Sequence, residues 1–200
     1  SRQARASQVL LFWLVAFVLA NFASLLVLVL TRNGDSSNND MSTLDVALSA
    51  TAMWIVYLFA TTQFLQVTWK NFRSAIGATF EGRDVVVGIP LGIASQLVLV
   101  NVVNWPLTRL FPDAFSFDEV SKRASELVDG ARGGWLVLLA LVVVVGAPIV
   151  EEIVYRGVVQ PGLVASWGRM AGVVATAALF AAIHLQPVEL PGLFAFALVL

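Results

Sequence analysis

Apolar runs of about twenty residues recur along this chain, the length a helix needs to cross a hydrocarbon layer ~30 Å thick. Val9 to Leu30 is the first, and Val46 to Trp69 the second, with a more polar end at Thr61, Thr62, Gln63 and Gln66. Val85 to Val103 is the third and carries Gly88, Pro90 and Gly92. A proline within a helix removes one backbone bond and favours a kink. The fourth runs from Trp135 to Val159, where Pro161-Gly162 is expected to break it. The fifth covers Gly168 to Leu185, and Leu193 to Leu200 reads as the start of a sixth. Those last residues are too few to span, so the expectation is a fragment lacking its last helix or helices. The fold class that follows is all-α: a polytopic transmembrane bundle with five complete spans plus the start of a sixth. It forms a single membrane domain over residues 1–200, with no internal repeat.

Composition agrees. Of the 200 residues 58% are hydrophobic and 12% charged, against about 25% charged in a soluble domain, and mean hydropathy is +0.84. A net charge of -1 gives no strongly basic face for nucleic acid. The absence of cysteine excludes disulfides, thiolate metal sites and a cysteine nucleophile. The first apolar run is too long for a signal-peptide core and lacks a clear small-residue cleavage site, so it reads as a retained helix. Among the connections, Thr31 to Asp45 is polar and Lys70 to Asp84 short and basic. The longest, Asn104 to Gly134, holds Ser116 and Glu119 at capping-box spacing. Val120, Ala124, Leu127 and Val128 follow at helical spacing, which predicts an amphipathic surface helix over 116–130, lying on the membrane or packed on the bundle. Lys and Arg are denser at the N-terminus and in the second loop than in the first, favouring a cytoplasmic N-terminus.

The chemistry concentrates where the fourth run meets Glu151-Glu152-Ile153-Val154-Tyr155-Arg156. A charge at the centre of a membrane helix costs roughly 2.5–3.5 kcal/mol on insertion scales. Three such groups within six residues therefore mark a functional site facing a protein interior or a wet cavity. Glu151 shares a helix face with Tyr155, and Glu152 with Arg156, while the two glutamates point about 100° apart. Labour can divide: Glu152 pairs with Arg156, and Glu151 is left to meet a neighbouring helix. The single histidine, His184, lies late in the fifth run with Phe180 one turn before it. An apolar pocket favours the neutral carboxyl and a nearby cation favours the carboxylate. Together they can poise a glutamate as a general base. A histidine opposite can hold the same water, donate to an oxyanion or ligate a metal. Taken singly, the Glu152–Arg156 pair reads equally as helix support, His184 as a core histidine bonded to a carbonyl, and Phe180 as packing. One histidine rules out His-Glu-x-x-His zinc chemistry, and no Gly-x-Ser-x-Gly elbow is present.

Glu-Glu-x-x-x-Arg on one apolar helix followed by Phe-x-x-x-His on the next resembles the CPBP family. These are the type II CAAX prenyl endopeptidases and the bacteriocin-processing or self-immunity proteins, also called Abi. The resemblance covers residues 135–200, the motif-bearing part of the core. It implies an intramembrane endopeptidase acting on a membrane-associated protein or peptide, prenylated and of CAAX type or not, in a bacterial plasma membrane. Glu151 would activate the water and His184 assist, with Glu152, Arg156 and Phe180 supporting the site or binding substrate. It leaves open a divalent metal such as zinc, with Glu151 and His184 as candidate ligands, against a metal-free glutamate mechanism. The family's third motif, a His or Asn followed by an Asn on a later helix, is not within these residues. Two other readings stand beside it: a non-enzymatic membrane scaffold or immunity protein, and a transporter or proton pathway. One geometric expectation runs against the site. Helices starting at Trp135 and Gly168 on opposite faces would each place their motif residue ~24 Å along. In a ~30 Å layer, Glu151 and His184 would then differ in depth by roughly 15–20 Å.

Overall fold

The computed structural model describes residues 5–32, 42–78, 82–112, 125, 131–185 and 187–199. Among these every regular element is helical. The chain begins with α1, Ala6–Thr31, and α2, Thr43–Leu65. Ser42 caps α2: its hydroxyl accepts from the Asp45 amide at 3.1 Å, while the Asp45 carboxylate accepts from the Ser42 amide at 3.2 Å. This reciprocal pairing satisfies two of the donors that every helix N-terminus leaves open. Gln66, in the left-handed region at φ 53°, ends α2. The expected basic connection then holds a short helix, α3, Trp69–Ala75, with Phe72 buried.

Helix α4 spans 82–110 and carries a π turn at Ser95–Leu99, past Pro90. This is the region of the expected third span. Helix α5, Gly134–Trp167, is the longest element, with π turns at Leu141–Gly146 and Tyr155–Val159. Pro161 does not break it, contrary to the sequence expectation. The wider turn over Tyr155–Val159 immediately precedes Gln160 and Pro161. A π turn displaces the backbone bonds that a proline ring would otherwise obstruct. Helix α5 continues another six residues to Trp167 and reverses at Gly168.

Helix α6 is Arg169–Ala182, and α7 is Leu190–Val199. Among the described residues three helices, α1, α2 and α5, are long and apolar enough to cross a membrane, whereas α6 and α7 are shorter apolar helices; five complete spans are not found. At 1.5 Å per residue α6 is ~21 Å long, short of a ~30 Å core. It stops because Leu185 turns left-handed at φ 52° and Pro187 follows. The expected fifth span, Gly168 to Leu185, is thus a helix about two-thirds of the spanning length. The amphipathic helix expected over 116–130 lies outside the described residues except for Ser125, which is helical.

The core lies where α1 crosses the second half of α5. Val9, Phe12 and Ala16 of α1 are buried against Val154, Tyr155, Val158 and Leu163 of α5. Phe12 stacks on Phe64 of α2 at 4.6 Å, while Thr31 donates to Asp45 at 3.0 Å at the other end. The first and last turns of α1 therefore meet the last and first turns of α2, an antiparallel pair. Large apolar side chains along the outside stay open: Phe22, Leu25, Val29, Ile55 and Val144 are all more than half exposed. Such a continuous apolar surface suits lipid rather than water.

Helices α5 and α6 form a tight antiparallel hairpin about Gly168, whose φ of 84° and ψ of 166° only glycine adopts at low cost. Four residues on, Gly172 touches the α5 backbone. A methyl group there would lie 2.5 Å from the Val164 amide nitrogen and 2.6 Å from its Cα. Gly172→Ala is therefore expected to push the two helices apart and to lower the free energy of unfolding by about 1–3 kcal/mol. The check is denaturant titration of the purified protein, and wild-type resistance would show that the close approach is not required.

Candidate active site

Glu151 stands halfway along α5, 17 residues after Gly134 and 17 before Gly168. His184 stands 16 residues after Gly168. Because α6 runs back antiparallel from that glycine, the two are about 25 Å and about 24 Å from the turn. Their depths match to within about 2 Å. The expected depth mismatch is overturned, and the reason is Pro161. Once α5 is seen to continue to Trp167, Glu151 is at its middle rather than at one end.

Both residues line one cavity of about 180 Å³, room for several waters. Helix α5 contributes Val150, Val154 and Tyr155 besides Glu151. Helix α1 adds Phe17 and Asn21, and α2 adds Met53, Trp54 and Tyr57. The wall is mostly apolar with a few polar groups converging on it, the usual build of a small-molecule or peptide site. A larger groove of about 490 Å³ runs between α1 and α2 along Phe12, Leu19 and Phe59. It has no ionisable lining residue and belongs to the apolar outer surface.

His184 is held by two contacts. Its Nδ1 lies 2.9 Å from the Phe180 carbonyl oxygen. A carbonyl can only accept, so Nδ1 carries the proton and donates. In the neutral ring Nε2 is then an acceptor, the nitrogen available to a water or ligand in the cavity. The Phe180 ring also touches the imidazole, with centroids 5.0 Å apart, and meets Tyr155 edge-on at 5.3 Å. Phe180 itself is not on the cavity wall. It is the packing element that joins the two motifs, Tyr155 of the first to His184 of the second.

Glu152 and Arg156 are off the wall as well. Arg156 Nε lies 4.0 Å from Glu152 Oε2, and the Glu152 side chain is 56% exposed. Glu152 points away from Glu151, as the 100° step between neighbouring residues requires, whereas the Arg156 side chain is only 28% exposed. The contact between them is long and half-exposed.

Tyr155 was visible from the sequence only as the residue one turn beyond Glu151. The structure gives it a partner that no local pattern could show. Trp13 of α1 donates its indole N–H to the Tyr155 hydroxyl oxygen at 2.9 Å. Both tyrosines of the chain, Tyr57 and Tyr155, line the cavity with its only histidine. Concerning a metal, no group of three His, Asp or Glu side chains comes together among the described residues. Catalytic zinc takes three protein ligands, and Glu151 with His184 supplies two. The described residues do not make a zinc site by themselves.

With a single histidine in the chain, the imidazole assignment is directly readable. In protein labelled with ¹⁵N-histidine, one ring is expected, with Nδ1 protonated and Nε2 bare in its neutral form. A spectrum showing a protonated Nε2 and bare Nδ1 would contradict the Phe180 bond.

The chain was compared with known proteins. No curated protein and no solved structure matches it. Residues 133–200, the third of the chain that carries both motifs, match the model of the Rce1-like family, the type II CAAX prenyl endopeptidases.

Proposed function

We propose that this protein is an intramembrane endopeptidase in which Glu151 activates a water molecule and His184 orients it. The observation that carries the reading is that both line the wall of one small, mostly apolar cavity. The family match of residues 133–200 supports a protease of CAAX type. The apolar exterior supports a substrate delivered through the bilayer, a membrane-associated protein or peptide.

The chemistry follows from the groups present. Glu151 takes one proton from the water as its oxygen attacks the scissile carbonyl carbon. His184 Nε2 accepts the other water hydrogen and so aims the attacking lone pair, with Nδ1 tied to Phe180. The carbonyl electron pair moves onto oxygen as the new C–O bond forms. When the intermediate collapses, the C–N bond breaks and Glu151 returns its proton to the leaving amine. Positioned proton transfer of this kind contributes about 10²–10⁴-fold in rate. Low surrounding dielectric strengthens each of these contacts, because the walls exclude competing water. Glu152 and Arg156, off the cavity wall, support α5, and Phe180 holds the imidazole. A plasma-membrane setting with a cytoplasmic N-terminus accompanies this reading.

The test is proteolysis in liposomes, using a farnesylated CAAX peptide and a set of membrane-anchored peptides. Glu151→Gln and His184→Ala are each expected to lower kcat by at least about 100-fold while remaining folded. A chelator lane decides whether a divalent metal shares the site: loss of cleavage on chelation, restored by added zinc, would show that it does. A folded Glu151→Gln protein that cleaves at the wild-type rate would refute the role of Glu151.

A further inference from the structure

An amide carbonyl under attack builds negative charge on oxygen, and something in the cavity must donate to it. His184 does not supply that donor in its neutral form, because its one N–H is committed to the Phe180 carbonyl. Glu151 as base has none to give. The Asn21 amide, which already donates to the Phe17 carbonyl at 2.8 Å, and the Trp54 indole are on this wall, and so are the hydroxyl groups of two tyrosines, Tyr57 and Tyr155.

The two differ in how they are held. Tyr155 is 6% exposed, and its ring is fixed by the edge contact to Phe180. Its oxygen accepts the Trp13 N–H at 2.9 Å. An indole N–H cannot accept, so the Tyr155 hydrogen must point elsewhere. No protein acceptor for it occurs among the described residues, and the cavity it lines is what remains. Accepting one hydrogen bond also polarises the hydroxyl and strengthens the bond it donates. Tyr57 has no comparable anchor among the described residues.

We infer that the Tyr155 hydroxyl donates to the carbonyl oxygen of the substrate at this site, with Trp13 as a positioning residue that fixes the direction of the donated hydrogen. The inference rests on the peptidase reading and extends it. No proton changes hands at Tyr155: the hydrogen bond shortens as the oxyanion forms and relaxes when the C–N bond breaks. It also brings α1, which lies outside the family match, into the catalytic centre.

The experiment compares wild type, Tyr155→Phe, Tyr57→Phe, Trp13→Phe and the Tyr155→Phe/Trp13→Phe double variant in the liposome assay. Phenylalanine at 155 keeps the ring contact to Phe180, so folding is expected to persist. Removing one oxyanion donor costs about 10²–10³-fold in kcat. Tyr155→Phe is expected to show that loss with KM nearly unchanged, and Tyr57→Phe much less. Trp13→Phe is expected to lose less than Tyr155→Phe, and the double variant no more than Tyr155→Phe alone, since Trp13 acts through the hydroxyl. A hydroxyl that instead served Glu151 would shift the acid limb of the kcat/KM–pH profile in Tyr155→Phe; that shift would overturn the inference. So would a Tyr155→Phe enzyme with wild-type kcat, leaving the peptidase reading intact. A folded wild-type protein that cleaves none of the substrates would count against both.

Discussion

The close antiparallel packing of α5 and α6 at Gly168 is the constraint from which the site follows. Bringing Glu151 and His184, on two different helices, to one cavity needs matched depth, and here depth follows from counting residues from one turn. Gly168 permits the reversal and Gly172 lets the second helix lie against the backbone of the first. With the turn fixed, residues 17 before and 16 after it have to come level. The early end of α6 then matters. His184 stands just past Ala182, where the helix has unwound, so its ring is carried at the inner end of a short helix. Irregular backbone at this depth is tolerated where it lines a protein cavity rather than lipid.

The other half of the cavity comes from α1 and α2, and their packing supplies more than closure. Phe12, Ala16 and Val9 bury against the same stretch of α5 that carries Tyr155. This places Trp13, on the neighbouring face of α1, within hydrogen-bond reach of Tyr155. The result is a chain of contacts from α1 through Tyr155 and Phe180 to His184. Each link is modest, but together they restrict three rings that would otherwise sample several rotamers. Preorganisation of this sort is what an electrostatic site needs, because dipoles already aimed at the developing charge cost nothing to reorient.

Much of this was legible in the sequence, for identifiable reasons. Long apolar runs and a low share of charged residues gave an all-helical membrane protein. Carboxylates inside a run and a lone histidine on the next singled out Glu151 and His184, and the structure sets both on one cavity wall. The misreading came from Pro161. Proline rules assume α geometry, and the π turn over Tyr155–Val159 that accommodates it leaves no signature in residue type. That one error placed Glu151 near a membrane face and produced the false depth mismatch. The Glu152–Arg156 spacing correctly gave a pair, but spacing does not say which face of a helix is covered. Tyr155 could be put on the Glu151 face, whereas its bond to Trp13, 142 residues away, is a tertiary fact. Span number was read from run length alone, and α6 shows that an apolar run of adequate length can end in an unwound turn.

The account stands most directly on Glu151 and His184 lining one cavity. The native chain has no cysteine, so a Glu151→Cys/His184→Cys variant can be tested in membranes with a short bifunctional thiol reagent and no background. The hairpin register predicts an intramolecular cross-link, detected as joined peptides after digestion on opposite sides of Gly168. Two accessible thiols that never join, as a depth offset of roughly 15–20 Å in a ~30 Å layer would cause, would contradict it.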